Sequence, residues 1–448
     1  MNPAEPPAER SGHPAPTRGE AQPARIDGLW EEVFSRENLM GALKRVEQNK
    51  GAPGVDGMTT AELRPWLRRS WPGIRVTLDE GTYRPRPVRR VKIPKPDGGE
   101  RELGVPTVLD RLIQQAIAQA LVPIFDPHFS EHSYGYRPGR SAQQAVKAAR
   151  SYIGEGNEWV VDVDLERFFD RVQHDALMAR VARRVADRRL LRPIRRYLEA
   201  GIMVEGVKQA SAEGTPQGSP LSPLLSNIML DDLDRELERR GHRFVRYADD
   251  LRLQVKSERA GERVLAGVIE FIEKRLKLRV NRKKSSVRRA AQATVLGFGF
   301  HRDRDGKVGI RVDPKALERM RGQIRRLTGR SYRIAMAERI ERLNRYIGGW
   351  CGYFALAETP REFENLDKWL RRRLRQVRWK EWKRPKTRRH NLRVLGLPER
   401  EVREWGGSCK GYWRVAGTFL SRALPNQYWE DLGLRGFSPR WHRLRHAW

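Results

Sequence analysis

Apolar residues recur along this chain in two rhythms. Leu112, Ile113, Ala116, Ile117, Ala120 and Leu121 fall at helical spacing and predict one buried helix face. Leu221, Leu224, Leu225, Ile228, Asp232, Leu233 and Leu237 mark a longer helix, and Val264, Leu265, Val268, Ile269, Ile272 and Leu276 another. Short β-branched runs alternate with them. Trp159-Val160-Val161-Asp162-Val163-Asp164-Leu165 predicts a strand, Phe244 to Val255 two strands meeting at Ala248-Asp249-Asp250, and Val295-Leu296-Gly297-Phe298-Gly299-Phe300 a last strand. Residues 83–106 predict a hairpin, with Arg90 to Pro94 extended, a turn at Pro96-Asp97-Gly98-Gly99 and a return over Glu100 to Leu103. Together these elements predict an α+β layer, an antiparallel sheet backed by helices. Beyond residue 315 the pattern turns mostly helical. Residues 1–27, rich in Pro, Ala, Glu and Arg without periodicity, predict a disordered tail.

Charge sharpens the picture. Lys and Arg number 89 against 56 Asp and Glu, a net +33 over 448 residues, while 39% hydrophobic content keeps the chain globular. Such an excess predicts a polyanion partner, with nucleic acid the default. A membrane-surface role fits less well, because no helix pairs a basic face with an apolar face free of core duties. Two cysteines, Cys351 and Cys409, cannot build a disulfide framework or a four-ligand zinc site, which excludes zinc fingers and zinc deaminases. No run of 18 apolar residues exists and the first residues lack a signal-peptide core, so a cytoplasmic protein with no membrane contact is expected. The basic excess peaks late: eleven Lys or Arg against one acid fall within 371–390, and nine of thirteen tryptophans lie from Trp350 onward.

The candidate chemistry lies in aspartates. Asp162 and Asp164, at i and i+2 of a strand, share a face. Asp249 and Asp250 lie in a hairpin loop. Carboxylates so close repel unless a cation sits among them, and hard oxygen donors beside a phosphate-bearing substrate favour Mg²⁺. Two such ions activate a 3′-hydroxyl and stabilise leaving pyrophosphate in an in-line transfer. Taken singly, each motif is ordinary: an Asp-x-Asp strand or an Asp-Asp turn is more often structural.

In series they resemble something specific. Tyr247-Ala248-Asp249-Asp250, between hydrophobic strands and downstream of Asp164, resembles the palm signature of reverse transcriptases. Gly214-Thr215-Pro216-Gln217-Gly218-Ser219-Pro220-Leu221-Ser222-Pro223 resembles their template-contacting loop and helix. Asn281-Arg282-Lys283-Lys284-Ser285 and Leu296-Gly297-Phe298 resemble the later palm elements. Ile93-Pro94-Lys95-Pro96-Asp97-Gly98-Gly99-Glu100-Arg101, Pro106 to Leu112 and Ser133 to Ser141 are similar to the fingers of group II intron reverse transcriptases, and Gly51-Ala52-Pro53-Gly54-Val55-Asp56-Gly57 resembles the N-terminal extension these enzymes carry. Leu343-Asn344, Gly349-Trp350 and Tyr353-Phe354 resemble the maturase-specific thumb.

That resemblance implies a right-hand polymerase: an N-terminal extension over 28–82, fingers and palm over 83–302, a maturase thumb over 315–400, and a small basic nucleic-acid-binding segment over 401–448. It implies Asp164, Asp249 and Asp250 as catalytic metal ligands, Asp164 chosen over Asp162 by its spacing to Phe169, which screens the sugar 2′ position. Lys95 and Arg101, on opposite strands of one hairpin, are expected to converge on the triphosphate. Gln217 is expected to position the nascent pair, and Lys284 either to protonate pyrophosphate or to contact phosphate. Arg371, Arg372, Arg375, Arg378, Lys380, Lys383 and Arg384 are the candidate nucleic-acid contacts. The implied partners are an intron RNA template, a DNA primer or target, and dNTPs. The implied activity is RNA-directed DNA synthesis plus splicing assistance. The tail lacks the metal-binding spacing of the family's DNA endonuclease, which points to the compact type. Two other readings stay open on sequence: a host-adopted repair or defence polymerase, and a splicing factor whose polymerase activity is incidental.

Overall fold

The computed structural model describes residues 25–94, 100–200, 202–204, 207–209 and 218–445. Its strands are β1 (Val88–Pro94), β2 (Glu100–Val105), β3 (Trp159–Val163), β4 (Ile202–Val204), β5 (Val207–Gln209), β6 (Arg243–Tyr247), β7 (Asp250–Val255), β8 (Ser286–Arg289), β9 (Thr294–Val295), β10 (Phe298–Arg302) and β11 (Val308–Val312). They form sheets ordered β2-β1-β4-β5, β6-β7-β3-β8 and β11-β10-β9 packed with α-helices, the expected α+β class. The chain divides into two units. One gathers Met1–Val91, Glu102–His128 and Val172–Met229; the other gathers Lys92–Arg101, Phe129–Arg171 and Leu230–Trp448.

In the first unit the helix Val108–Phe125 is central. Its start is set by Thr107, whose hydroxyl accepts from the Asp110 N–H at 3.1 Å, and Asp110 in turn accepts from the Tyr83 hydroxyl at 2.7 Å. Only one face was expected to be buried. Instead Leu112, Ile113, Gln114, Ala116, Ile117, Ala118, Ala120 and Leu121 are all buried, because the helices Leu29–Val33, Arg36–Asn49 and Thr60–Asp79 pack around it. A helix enclosed on several sides buries residues all round.

In the second unit β3 pairs antiparallel with β7 (Asp162↔Arg252, Val163↔Leu251) and with β8, while β6 and β7 form a hairpin closing at Tyr247↔Asp250. Alternation then sorts the side chains. Val161, Val163, Leu251 and Leu253 fall on one face, covered by the helix Glu258–Phe271, whose Gly261 abuts Val161 and Val287. The other face carries Val160 and Val245, packed against the helix Ala142–Gly154. It also carries Asp162, Arg252 and Asp250 towards the turn end, half-buried to exposed.

The run 295–300, expected as one strand, is a tight hairpin. Leu296 and Gly297 both have positive φ (51° and 81°), so the chain reverses there and β9 pairs back onto β10. From this small sheet one apolar core continues through the helices Pro314–Leu327, Met336–Tyr353 and Pro360–Glu381. It reaches Trp429, Phe437 and Trp441, so residues beyond 400 share one core with those helices. Trp441 stacks on Phe363 with centroids 4.9 Å apart, and its Nε1 donates to the Ala357 carbonyl at 3.1 Å.

Candidate active site

The turn between β6 and β7 has two residues, Ala248 and Asp249, and Ala248 holds φ at 58°. A side chain in that region costs about 1–3 kcal/mol and persists only where its surroundings enforce it. Arg246 does so. Its side chain lies on the sheet's apolar face, 1% exposed, and Nη1 donates to the Ala248 carbonyl at 2.9 Å. Nε and Nη2 fork onto the fully buried Asp234 carboxylate at 2.7 and 2.5 Å, and Nη2 also donates to Ser133 Oγ at 2.8 Å. The segment through Ser133 runs alongside β6, with the Tyr134 N–H on the Arg246 carbonyl (2.8 Å) and the Arg246 N–H on the His132 carbonyl (2.9 Å). It ends at Gly135, where a Cβ would sit 2.2 Å from the Ala248 nitrogen, so only glycine lets this backbone reach the turn.

Asp164 follows β3 directly. Continuing the register of Val163↔Leu251 by one residue puts Asp164 opposite Asp250. Its N–H donates to Ser285 Oγ at 3.0 Å and its carbonyl accepts from the Asn281 N–H at 2.8 Å, clipping the 281–285 turn to it. Exposed Lys284 belongs to that turn. Phe169 lies on the short helix Phe168–Arg171, 7% exposed and edge-on to Phe168 at 5.1 Å. Arg101 lies in β2; Lys95 and Gln217 fall outside the described residues, as does the expected turn 96–99.

The electrostatics of this rim are crowded. Arg252 stands 2.8 Å from Asp162 Oδ1 and 3.7 Å from Asp250 Oδ1. Burial pushes the Asp162 carboxyl up, Arg252 opposes it, and Asp250 and Asp164 push it up again, so the acids feel one another. Asp164, Asp249 and Asp250 offer hard oxygen donors suited in kind to a divalent ion. Among the described residues, however, no three His, Cys, Asp or Glu side chains are gathered as a ready-made metal cage.

Residues 93–300 match the family model for reverse transcriptase (RNA-dependent DNA polymerase), and residues 317–396 match the group II intron, maturase-specific domain. Protein YkfC of Escherichia coli (strain K12) is 34% identical over 303 residues, 59% of this chain and 80% of that protein. Group II intron-encoded protein LtrA of Lactococcus lactis subsp. cremoris is 34% identical over 221 residues, 46% of this chain and 35% of LtrA. The putative COX1/OXI3 intron 1 protein of Saccharomyces cerevisiae (strain ATCC 204508 / S288c) is 34% identical over 223 residues, 48% of this chain and 26% of that protein. The chain belongs to the group II intron reverse transcriptase/maturase family.

The match therefore spans about a third of LtrA and about a quarter of the yeast intron protein. Reverse transcriptases use divalent metal ions, and the paired domains imply an RNA template and nucleic-acid partners. Among the described residues no helix is long and apolar enough to cross a membrane.

The maturase domain's basic helix divides its cations between two tasks. Arg375 is 8% exposed, donates from Nε to the Leu424 carbonyl at 3.0 Å, and burial pulls its guanidinium down to about 10. Arg372 donates to the Trp413 carbonyl from Nε and Nη2 (3.2 and 3.0 Å), and Arg378 pairs with Glu381 at 2.8 Å. Arg371 is half-buried, while Lys380, Lys383 and Arg384 are exposed. Sequence reasoning missed Asp234, Arg246 and Arg252 as site residues, and Gly135 and Ser285 as individual contributors. For Arg246 the signal was there: with Phe244 it shares the face of Leu251 and Leu253, and a cation at a core-facing position needs a partner.

Proposed function

We propose that this reverse transcriptase extends a DNA primer along its intron's RNA with dNTPs, and that its thumb grips the intron RNA to assist splicing in the cytoplasm. The observation that carries the reading is the register that sets Asp164 against Asp250, with Asp249 in the adjoining turn, inside a reverse transcriptase domain. Asp164, Asp249 and Asp250 would hold two Mg²⁺. Bound there, those ions supply Lewis-acid activation of a 3′-hydroxyl and charge neutralisation at pyrophosphate. The chain's own groups do the rest. Arg246 and Ser285 hold the two carboxylate-bearing segments in place, from the turn and from β3. Lys95 and Arg101 orient the triphosphate, Lys284 meets the departing phosphates, Phe169 walls off the 2′ position, and Gln217 sets the nascent pair.

Primer extension on an RNA template with Mg²⁺ and dNTPs tests this, wild type against Asp249→Asn. Losing one ligand should slow extension by several orders of magnitude, each order being about 1.4 kcal/mol of barrier. Equal extension by both proteins would refute the assignment of the metal site.

A further inference from the structure

We infer that Trp413, with the cations around it, is a stacking platform for an unpaired strand of RNA. The inference rests on the reading of this chain as an RNA-handling protein, and it names where a base would bind.

Trp413 is 40% exposed, the one exposed tryptophan among the described residues, although the chain carries thirteen. Its ring is held in place. The Arg372 guanidinium lies over it with Cζ 4.1 Å from the centroid while donating twice to the Trp413 carbonyl. That guanidinium fits because Gly417 lies beneath it, where a Cβ would come within 2.6 Å of Cζ. Next in sequence, Tyr412 carries Arg330 over its ring at 4.5 Å and Lys380 at 5.7 Å.

Arg330 itself stands on a braced loop. Arg373 Nε donates to Thr328 Oγ1 at 2.6 Å, and buried Arg339 donates to the Tyr332 carbonyl at 2.6 Å and to the Leu327 carbonyl. This presents a second ring, Tyr332, 41% exposed. Arg330, Arg372, Lys380, Lys410 and Arg414 form no ion pair with a carboxylate among the described residues. Burial lowers the Arg373 guanidinium, and the like charges of Arg325 and Arg330 lower it further.

An acidic peptide would satisfy the cations and leave the rings idle. A duplex would satisfy the cations and keep its bases paired. An unpaired strand uses both, phosphates against the cations and a base face against an aromatic ring. RNA is the strand committed to, because Arg330, Arg372 and Lys380 all fall inside the maturase-specific match.

The test is fluorescence anisotropy of a short labelled oligoadenylate RNA, with a blunt RNA duplex, the DNA counterpart and an oligoglutamate as competitors, on the full chain. Trp413→Ala should weaken single-strand RNA binding about tenfold, the loss of one stacked base, with duplex binding and melting temperature unchanged. Trp413→Phe, which keeps a ring, should bind close to wild type. A 5-iodouridine oligomer should photo-cross-link to Trp413. Should Trp413→Ala melt early, Arg330→Ala carries the test through a shallower salt dependence of strand binding. Equal binding by wild type and Trp413→Ala, equal losses for strand and duplex, or better competition by DNA or oligoglutamate than by RNA would each overturn the platform. A wild-type protein that binds no RNA and extends no primer would instead overturn the RNA reading beneath it.

Discussion

Asp234 and Arg246 make the sharpest quantitative test of how this site is held. Both side chains are essentially removed from solvent, at 0% and 1% exposure, and two charge-assisted bonds join them. Truncating Asp234 to alanine takes the forked carboxylate away from a buried guanidinium, which costs about 3–5 kcal/mol. Set against a typical stability of about 5–15 kcal/mol, that is a large fraction. At roughly 2–4 °C per kcal/mol for a unit of this size, calorimetry should find the transition about 6–20 °C lower. Replacing both partners, Asp234→Leu with Arg246→Met, removes the charge and its counter-charge together, and most of the stability should return. Extension should not return with it. The Ala248 carbonyl loses its donor in that double variant, and a turn kept at positive φ by that donor is free to relax. If relaxation is favoured by about 1.4 kcal/mol, productive turns fall tenfold. An Asp234→Ala protein within 1 kcal/mol of wild type, or a double variant as unstable as the two single losses combined, would refute the ion-pair account. A double variant restored in both stability and rate would refute the role of Arg246 in holding the turn.

Other perturbations read neighbouring parts of the same molecule. Gly135→Ala would put a methyl group 2.2 Å from the Ala248 nitrogen and 2.8 Å from the Tyr247 carbonyl carbon, both backbone. Extension should fall at least tenfold with a destabilisation of about 1–3 kcal/mol, measured by steady-state rates and denaturant melts. Asp231, on the helix Ser222–Arg239, has an Oδ1 without a hydrogen bond, and burial raises its carboxyl to about 6. Its proton is held more tightly folded than unfolded, so its contribution to stability is full below about pH 4 and is lost as pH rises through about 6. Asp231→Asn should flatten that dependence and raise stability above pH 7 by about 3 kcal/mol at most, seen in melts across pH. Cys351 is buried, with its thiol pushed up to about 12, while Cys409 is exposed. A thiol reagent should therefore label one cysteine in the native protein and two after denaturation.

Much of the palm was legible because its strands carry their own pattern. Asp162 and Asp164 had to share a face, and two strands had to meet at Ala248-Asp249-Asp250, whatever lay behind them. What lay behind them was legible only in part. Alternation alone assigns Arg246 to the apolar face, but three aspartates, Asp231, Asp232 and Asp234, compete in sequence to be its partner. Only the packing of the helix on the sheet selects Asp234. Gly135 gave less warning still, since nothing local shows that its neighbour is a backbone more than a hundred residues away. The strand-like run 295–300 misled for the converse reason: Val295, Phe298 and Phe300 are buried, but two left-handed residues, Leu296 and Gly297, fold the run back on itself.

The basic thumb marks where composition stops being informative. Helices end in carbonyls that no helical N–H satisfies, and loops add more. Here arginine supplies many of those donors: Arg373 to Thr328 and Arg325, Arg375 to Leu424, Arg440 to Asn344. Each such guanidinium raises the net charge as much as one facing phosphate, yet it is spent inside the fold. The charge of +33 therefore overstates the nucleic-acid face. Since each phosphate neutralised contributes a slope of about −0.7 to −0.9 in log affinity against log salt, the salt dependence of RNA binding counts only the cations left outside. On the proposed RNA-binding reading, exposed Lys380, Lys383 and Arg384 would enter that count and buried Arg375 would not, so Lys383→Ala should make the slope shallower while Arg375→Ala should change stability instead.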